Sequence, residues 1–406
     1  MRILAVANII PMRDRSAGWF RFFHILRILA NQHEVHLHPF DLSWQEKRYG
    51  KEETCGYRDT LTDLGIRITN GQWPELSRFL QQTAVDIAFF EHYTAARGGI
   101  LEQVRLRQPD AKVFIDSIDV SYRRLLSKAK LTNKPEDVQL ALAVKAQELA
   151  IYSRSDLVIA ISGSEKALLE QDDPDMRVDV IPLVYGARSL PARESGRRTL
   201  LFIADFEHEA NVDGILYFCA EVLPLIQKVI PEICLRIVGH SPPSAVRALA
   251  GRGVELLGYV PDIRAVYASS DVAIAPMRFG GGLKGKVAEA MSYGLPVVTN
   301  HVCLEGFEGL VPGRDVLVGD DPEELAHAVA EVLRDDTLYQ ALRENGWNYI
   351  RCRFSEEVVA KTLTGVLERS RQYPAKKLPM GKRAVWKARH LLERYLVWRF
   401  RHRAAI

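Results

Sequence analysis

The stretch FGGGLKGKVAEAMSYGLPVV, residues 279–298, follows the apolar run VAIAPM and itself closes on another apolar run. Strand, glycine-rich turn, helix and strand in that order form the unit of a parallel sheet with crossover helices. The glycines fit three phosphate-binding templates. Gly280, Gly285 and Lys286 satisfy G-x-x-x-x-G-K, but Val287 stands where a P-loop needs a hydroxyl for Mg²⁺, and that reading is rejected. Gly280, Gly282 and Gly285 spell the dinucleotide pattern G-x-G-x-x-G. It lacks the acidic residue expected about 20 positions on to hold a ribose hydroxyl. The third template keeps the physics alone. Glycines let backbone approach an anion, and a helix starting near Gly285 turns its amides and positive dipole end toward it. Arg278, Lys284 and Lys286 add charge, and Glu289, a turn into the helix, can accept from a sugar or ribose hydroxyl. A diphosphate joined to a sugar is the ligand class that set suits.

Outward from this stretch the alternation continues. RILAVAN, HEVHLHPF, VDIAFFEH, KVFIDSID, LVIAIS and VDVIPL read as strands between longer amphipathic segments. A polar Gly/Pro segment at 185–198 interrupts the pattern, which restarts at RTLLFIAD. The expectation is α/β: two Rossmann-like doubly wound domains facing across a cleft, over 1–185 and 186–370, followed by a basic tail over 371–406. No repeat of 20–50 residues is evident.

A chain of 406 residues with 47% hydrophobic and 26% charged residues is ordinary for globular domains and too long for one core. No run approaches the ~18 apolar residues of a membrane span. The start, MRILAVANIIPMRDRS, reads as a first strand and not as a secretory leader. The five cysteines are scattered without a C-x-x-C pair, so neither a disulfide framework nor a zinc site is indicated, and a reducing cytoplasm is the expected compartment. The net charge of +3 is unevenly placed: 371–406 carries 11 Lys and Arg against Glu393 alone.

Read as P-x-R-F-G-G-G-L-K-G-K-x-x-E-A-M-x-x-G-L-P-V-V, residues 276–298 resemble the donor-site signature of the "glycosyl transferases group 1" family, retaining enzymes of the GT-B fold. LLFIADFEHEANVDGILYF and LEGFEGLVPGRDVLVGDDPEELAHAV are similar to further parts of its donor domain. MRILAVANIIPMRDRSAGWFRFFHILRILANQHEV and FIDSIDVSYRRL are similar to its acceptor domain, so the resemblance spans about residues 1–370. It implies transfer of a sugar from a nucleotide-diphosphate sugar, in bacterial surface polysaccharide or glycoconjugate assembly, with no metal or other cofactor. Gly280, Gly281, Gly282, Leu283, Lys284, Lys286, Glu289 and Arg278 then hold the donor, with Lys286 and Glu289 in catalytic roles. Gly18, after the first strand, is implied to let that loop approach the donor, the alternative being a helix start that needs a glycine.

The chain departs from the family pattern at three places. Many members carry E-x7-E; Glu289 matches the second glutamate but Gly281 occupies the first position. Asp205 and Asn211 stand where an Arg and a Lys follow the first donor-domain strand, and Arg278, Lys284 and Lys286 are expected to supply that charge from the opposite wall. Relatives often carry a histidine after the fourth strand of the first domain; here FIDSIDVSYRR offers Asp116 and Asp119. Asp119 positions or deprotonates an acceptor hydroxyl, or caps the following helix. Arg21 is a further acceptor-side candidate, otherwise a solvated helix residue.

His33, His36 and His38 read as strand residues, and Ser162 with Ser164 as helix caps. The tail over 376–406, basic and interleaved with Trp, Tyr and Phe, suits an anionic membrane surface, a packed closing helix, or nucleic acid, for which no motif is present. Expected partners are the donor and a glycan or lipid-linked acceptor. A nucleotide-sugar epimerase and a catalytically inactive scaffold or sugar sensor stand as alternatives.

Overall fold

The structure is a computed structural model that describes residues 1–186 and 198–377. Most of the segment read as a linker, and the tail beyond residue 377, lie outside the described residues.

The first sheet comprises β1 (Arg2–Ala7), β2 (Glu34–Pro39), β3 (Arg67–Ile68), β4 (Ile87–Phe90), β5 (Lys112–Asp116), β6 (Leu157–Ala160) and β7 (Val178–Val180), in the order β3-β2-β1-β4-β5-β6-β7. The second comprises β8 (Thr199–Ile203), β9 (Cys234–Val238), β10 (Val254–Gly258), β11 (Val272–Ala275), β12 (Val297–Thr299) and β13 (Leu317–Val318), in the order β10-β9-β8-β11-β12-β13. Every pairing between these strands is parallel. Helices cover both faces, which is why β1, β4 and β11 are runs of apolar residues instead of alternating ones. This is the expected pair of doubly wound α/β domains.

The strand order reverses between β1 and β4 in one sheet and between β8 and β11 in the other. Chain leaving the carboxyl ends of such strands diverges to opposite faces and opens a crevice. Asn8 and Gly18 follow β1, Glu91 and His92 follow β4, Asp205 follows β8, and Arg278 to Lys286 follow β11. The topology itself brings these segments to one cleft.

The helices that frame the cleft are α1 (Ala17–Ala30), α2 (Ser121–Thr132), α3 (Pro135–Tyr152), α4 (Gly163–Asp172) and α5 (Gly285–Ser292), with α6 (Asp336–Phe354) and α7 (Glu356–Ser370) closing the described chain. Val359, Leu363, Val366 and Leu367 of α7 are buried in one cluster with Phe22, Phe23, Ile25 and Leu26 of α1. The chain therefore recrosses, and the helix at the end of the 186–370 segment is part of the first domain's core. Ser162 caps α4 by accepting from the Glu165 amide at 3.2 Å, as its sequence pattern indicates.

Candidate active site

The loop 277–284 is wedged between the two domains, and its glycines show why. A Cβ on Gly281 would lie 3.0 Å from the Arg124 amide nitrogen and 3.2 Å from its Cα. The position that carries the first glutamate in many relatives is filled here by the backbone of α2. Gly282 adopts φ +62° and faces the Glu165 carboxylate. The Gly280 amide donates to Ser127 Oγ at 3.1 Å, and Tyr185 donates to the Gly285 carbonyl at 3.0 Å.

Of the three expected donor-side cations, one reaches across the cleft. Lys286 Nζ donates to Asn211 Oδ1 at 2.6 Å and lies 4.3 Å from the centre of the Phe202 ring. Desolvation by these walls pulls the amine down to about 7. Lys284 is turned onto its own loop, donating to the carbonyls of Gly281 and Gly282 at 3.0 and 2.8 Å. Arg278 departs from expectation: it is exposed, paired with Asp213 at 2.9 Å through Nε, and 5.2 Å from the Tyr217 ring centre. Asp213 lies on the helix behind β8, so this guanidinium is drawn away from the cleft. α5 has no side-chain cap at its N-terminus; the Val287 amide donates to the Lys284 carbonyl at 3.0 Å, and the amides of Gly285 and Lys286 are left for an anion. Glu289 accepts from Tyr267 at 3.1 Å, and Tyr267 stacks on Tyr293 at 4.2 Å. Lys284, Lys286, Glu289 and Tyr293, with Gly18, Asp205, Asn211, Gly239, Val260 and Leu283, line a cleft of about 810 Å³. Gly18 lies in the first turn of α1, where a Cβ would sit 2.9 Å from Ile118 Cγ2.

The acceptor-side candidates divide. Asp116 and Arg21 are both fully buried and paired with each other. Arg21 also donates to the carbonyls of Ile181 and Pro182, at 2.6 and 3.2 Å. They tie α1 to β5 and to the chain after β7, so neither is a solvated residue nor an acceptor group. Asp119 does reach the cleft. It caps no helix, because the residue preceding α2 is Val120 and has no side-chain cap bond; Asp119 instead accepts from Arg124 Nε at 2.9 Å. Ile118 beside it has φ +59°, a left-handed conformation that costs a β-branched residue on the order of 1–3 kcal/mol. The strain is held by the Asp119 amide donating to the Ser117 carbonyl at 2.6 Å and fixes the direction in which Asp119 leaves the strand.

The structure adds a residue that sequence reading missed. The two-residue β3 shifts the strand count, so the fourth strand is Ile87–Phe90 and a histidine, His92, follows it. His92 Nδ1 lies 2.9 Å from Thr94 Oγ1 and Nε2 lies 3.4 Å from Ser121 Oγ. Burial pulls its pKa down to about 4, so the ring is neutral near pH 7. It shares a second cavity, of about 510 Å³, with Asn8, Trp19, Trp44, Glu91 and Asp119. Trp19, Ile118, Asp119 and Arg124 line both cavities, so the two are adjoining compartments of one site. The available signal was a His two positions after the apolar run IAFF.

Among the described residues no group of three His, Cys, Asp or Glu converges as a metal site, and no helix is long and apolar enough to cross a membrane. His36 and His38 lie in β2; His38 is buried, held to about 4, and bonded to Thr69.

Residues 197–335 match the family model described as glycosyl transferases group 1. An uncharacterized glycosyltransferase of Methanocaldococcus jannaschii is 24% identical over 244 residues, 54% of this chain and 60% of that protein. An uncharacterized 44.6 kDa protein from the cps region of Klebsiella pneumoniae is 22% identical over 173 residues, 40% of this chain and 44% of that one. The matches thus span 44 to 60% of the length of these curated relatives. In fold, the chain is similar to sucrose-phosphate synthase from Thermosynechococcus elongatus, with TM-score 0.65, 14% identity, and 91% of this chain and 99% of that one covered. It is likewise similar to HepE of Anabaena in complex with UDP and glucose, with TM-score 0.63, 14% identity, and 91% and 99% covered. The fold is GT-B. The second domain matches the glycosyl transferases group 1 family model over residues 197–335.

Proposed function

We propose that the chain transfers a sugar from a nucleoside-diphosphate sugar to an acceptor hydroxyl, with retention at the anomeric carbon as the family resemblance implies. The observation that carries this reading is Lys286, whose amine is held at the mouth of an uncapped helix against Asn211. The leaving group is a diphosphate, so the barrier falls mainly through stabilisation of charge growing on its β-phosphate. Lys286 and the first-turn amides of α5 provide that charge complement, which makes a metal unnecessary for it. Glu289, one turn on, accepts from a ribose hydroxyl. Lys284 braces the loop, and Asp119 with neutral His92 faces the acceptor, one orienting its hydroxyl and the other taking its proton. HepE, a fold neighbour, is described with UDP-glucose, which makes UDP-sugars the first donors to test.

Membrane association is part of the same proposal, with the protein on the cytoplasmic face and a lipid-linked glycan or surface polysaccharide as acceptor. Leu131, Val138, Leu140 and Leu142 stand exposed on α2 and α3. Lys376, where the basic tail begins, donates to the Ser153 carbonyl at 3.0 Å just past α3. Deleting 378–406 is expected to abolish partitioning onto anionic vesicles; unchanged partitioning would remove this part of the reading. The transfer itself is tested by nucleoside diphosphate release from UDP-, GDP- and ADP-sugars. The proposal expects release with one of them, lost in Lys286→Ala and in Glu289→Ala. Binding without turnover or transfer would favour an inactive sensor.

A further inference from the structure

The second cavity states what kind of acceptor it receives. Trp44 keeps 51% of its surface exposed at the rim of this cavity, although a Trp side chain is ordinarily mostly covered. Trp19 stands at the border with the donor cleft. An indole held open beside hydrogen-bonding groups is a surface that covers the C–H face of a ring while polar neighbours meet its edge. Asn8 and Asp41 are such neighbours on the wall of the first domain.

Charge narrows the ligand further. Among the described lining residues Arg124 is the one side chain of permanent positive charge, and it is bound to Asp119 at 2.9 Å. His92 is neutral near pH 7. The other ionisable lining groups are Asp41 and Glu91, with His208 exposed at the margin from the second domain. An anion entering here would meet no unpaired fixed cation and would face the carboxyl group of Asp41, while burial raises Glu91 to about 8 and leaves it uncharged near pH 7. A phosphate-bearing acceptor terminus is therefore disfavoured, whereas an uncharged polyhydroxylated ring finds both an aromatic face and polar partners.

We infer that this cavity is a subsite for an uncharged pyranose ring of the acceptor, stacked on Trp44, and that Trp44 selects glycosides over lipid phosphates as the group that receives the sugar. The inference rests on the proposed transferase reading and specifies its acceptor: a reaction that has already placed a neutral sugar on the carrier must act before this one.

The test uses the full chain, methyl glycosides of glucose, galactose and mannose, and farnesyl phosphate as the anionic lipid probe. Binding is read by saturation-transfer NMR and turnover by acceptor-dependent nucleoside diphosphate release. At least one glycoside is expected to bind. Trp44→Ala should weaken it about tenfold or more, and Trp44→Phe should recover most of the loss. Farnesyl phosphate should neither bind nor accept. Because Trp44 is exposed, its replacement leaves the fold and the thermal shift given by nucleotide unchanged. The inference is overturned if no glycoside binds, if Trp44→Ala binds as the unaltered protein does, or if farnesyl phosphate is the better acceptor. Nucleotide binding without glycoside binding removes the subsite and leaves the transferase reading standing. Trp44-dependent glycoside binding without any nucleotide response does the reverse.

Discussion

Replacing Lys286 probes the donor site at its most exacting point. The amine is pulled from 10.5 to about 7 by desolvation. At 1.36 kcal/mol per pH unit, that is about 5 kcal/mol of disfavour toward the charged form before allowing for solvent screening. A diphosphate in the cleft supplies the missing counter-charge. A hydrogen bond to a charged group contributes about 1.5–3 kcal/mol, so Lys286→Ala should weaken nucleoside diphosphate binding by roughly ten- to a hundredfold. Asp205→Ala, on the facing wall, should change it by less than threefold. The pH dependence has a defined sign. Below about pH 7 the free protein already carries the ammonium. As pH rises through 7 the free protein loses it while the complex retains it, so affinity falls by up to about tenfold per pH unit. Lys286→Met should abolish that slope. It should also leave the melting temperature at pH 7 unchanged or higher, since the fold no longer encloses a charge that the unfolded chain keeps in water. Calorimetric titration between pH 6 and 9 reads the affinities and their slope, and thermal unfolding at pH 7 reads the stability. Equal losses from Lys286→Ala and Asp205→Ala, or a flat pH profile in the unaltered protein, would refute the reasoning.

Three further substitutions separate loop architecture from ligand contact. Gly281→Glu restores the family's first glutamate but drives a Cβ onto the Arg124 backbone; turnover should fall at least tenfold, and a variant as active as the parent would show that α2 does not fix the loop. Arg278→Ala should alter nucleotide affinity by less than threefold, because the guanidinium is held by Asp213; a larger loss by titration would return it to the site. Glu165→Ala removes the acceptor for the Val120 and Ile161 amides, each 3.2 Å away. At about 1–3 kcal/mol for a buried donor left unpaired, the melting temperature should drop by several degrees, whereas no drop would mean that those amides find other partners.

The fold was largely legible because parallel strands covered on both faces are written as short apolar runs, and the glycine loop after β11 identified the second domain. The count of strands was not. Arg67–Ile68 is too short to leave a periodic signal, and missing it moved the expected histidine from Glu91-His92 to Asp116 and Asp119. Arg21 and Asp116 look alike in sequence to surface residues; only the packing of α1 against β5 shows that they neutralise each other in the core. Arg278 and Lys284 share the charge of Lys286 but not its direction, which is set by Asp213 on one side and by the loop's own carbonyls on the other. The site was therefore legible as a loop and a chemistry. Which cation faces the ligand depends on contacts between residues as much as 75 positions apart, as for Lys286 and Asn211.

The most direct test of the donor site is thermal unfolding of the full chain with UDP, GDP, ADP and their common sugar conjugates, beside Glu289→Ala. A ligand at 100 times its dissociation constant adds about 2.7 kcal/mol, a shift of several degrees. The account predicts such a shift with one base, reduced or lost in Glu289→Ala. No shift with any nucleotide, or an equal shift in the variant, would contradict it.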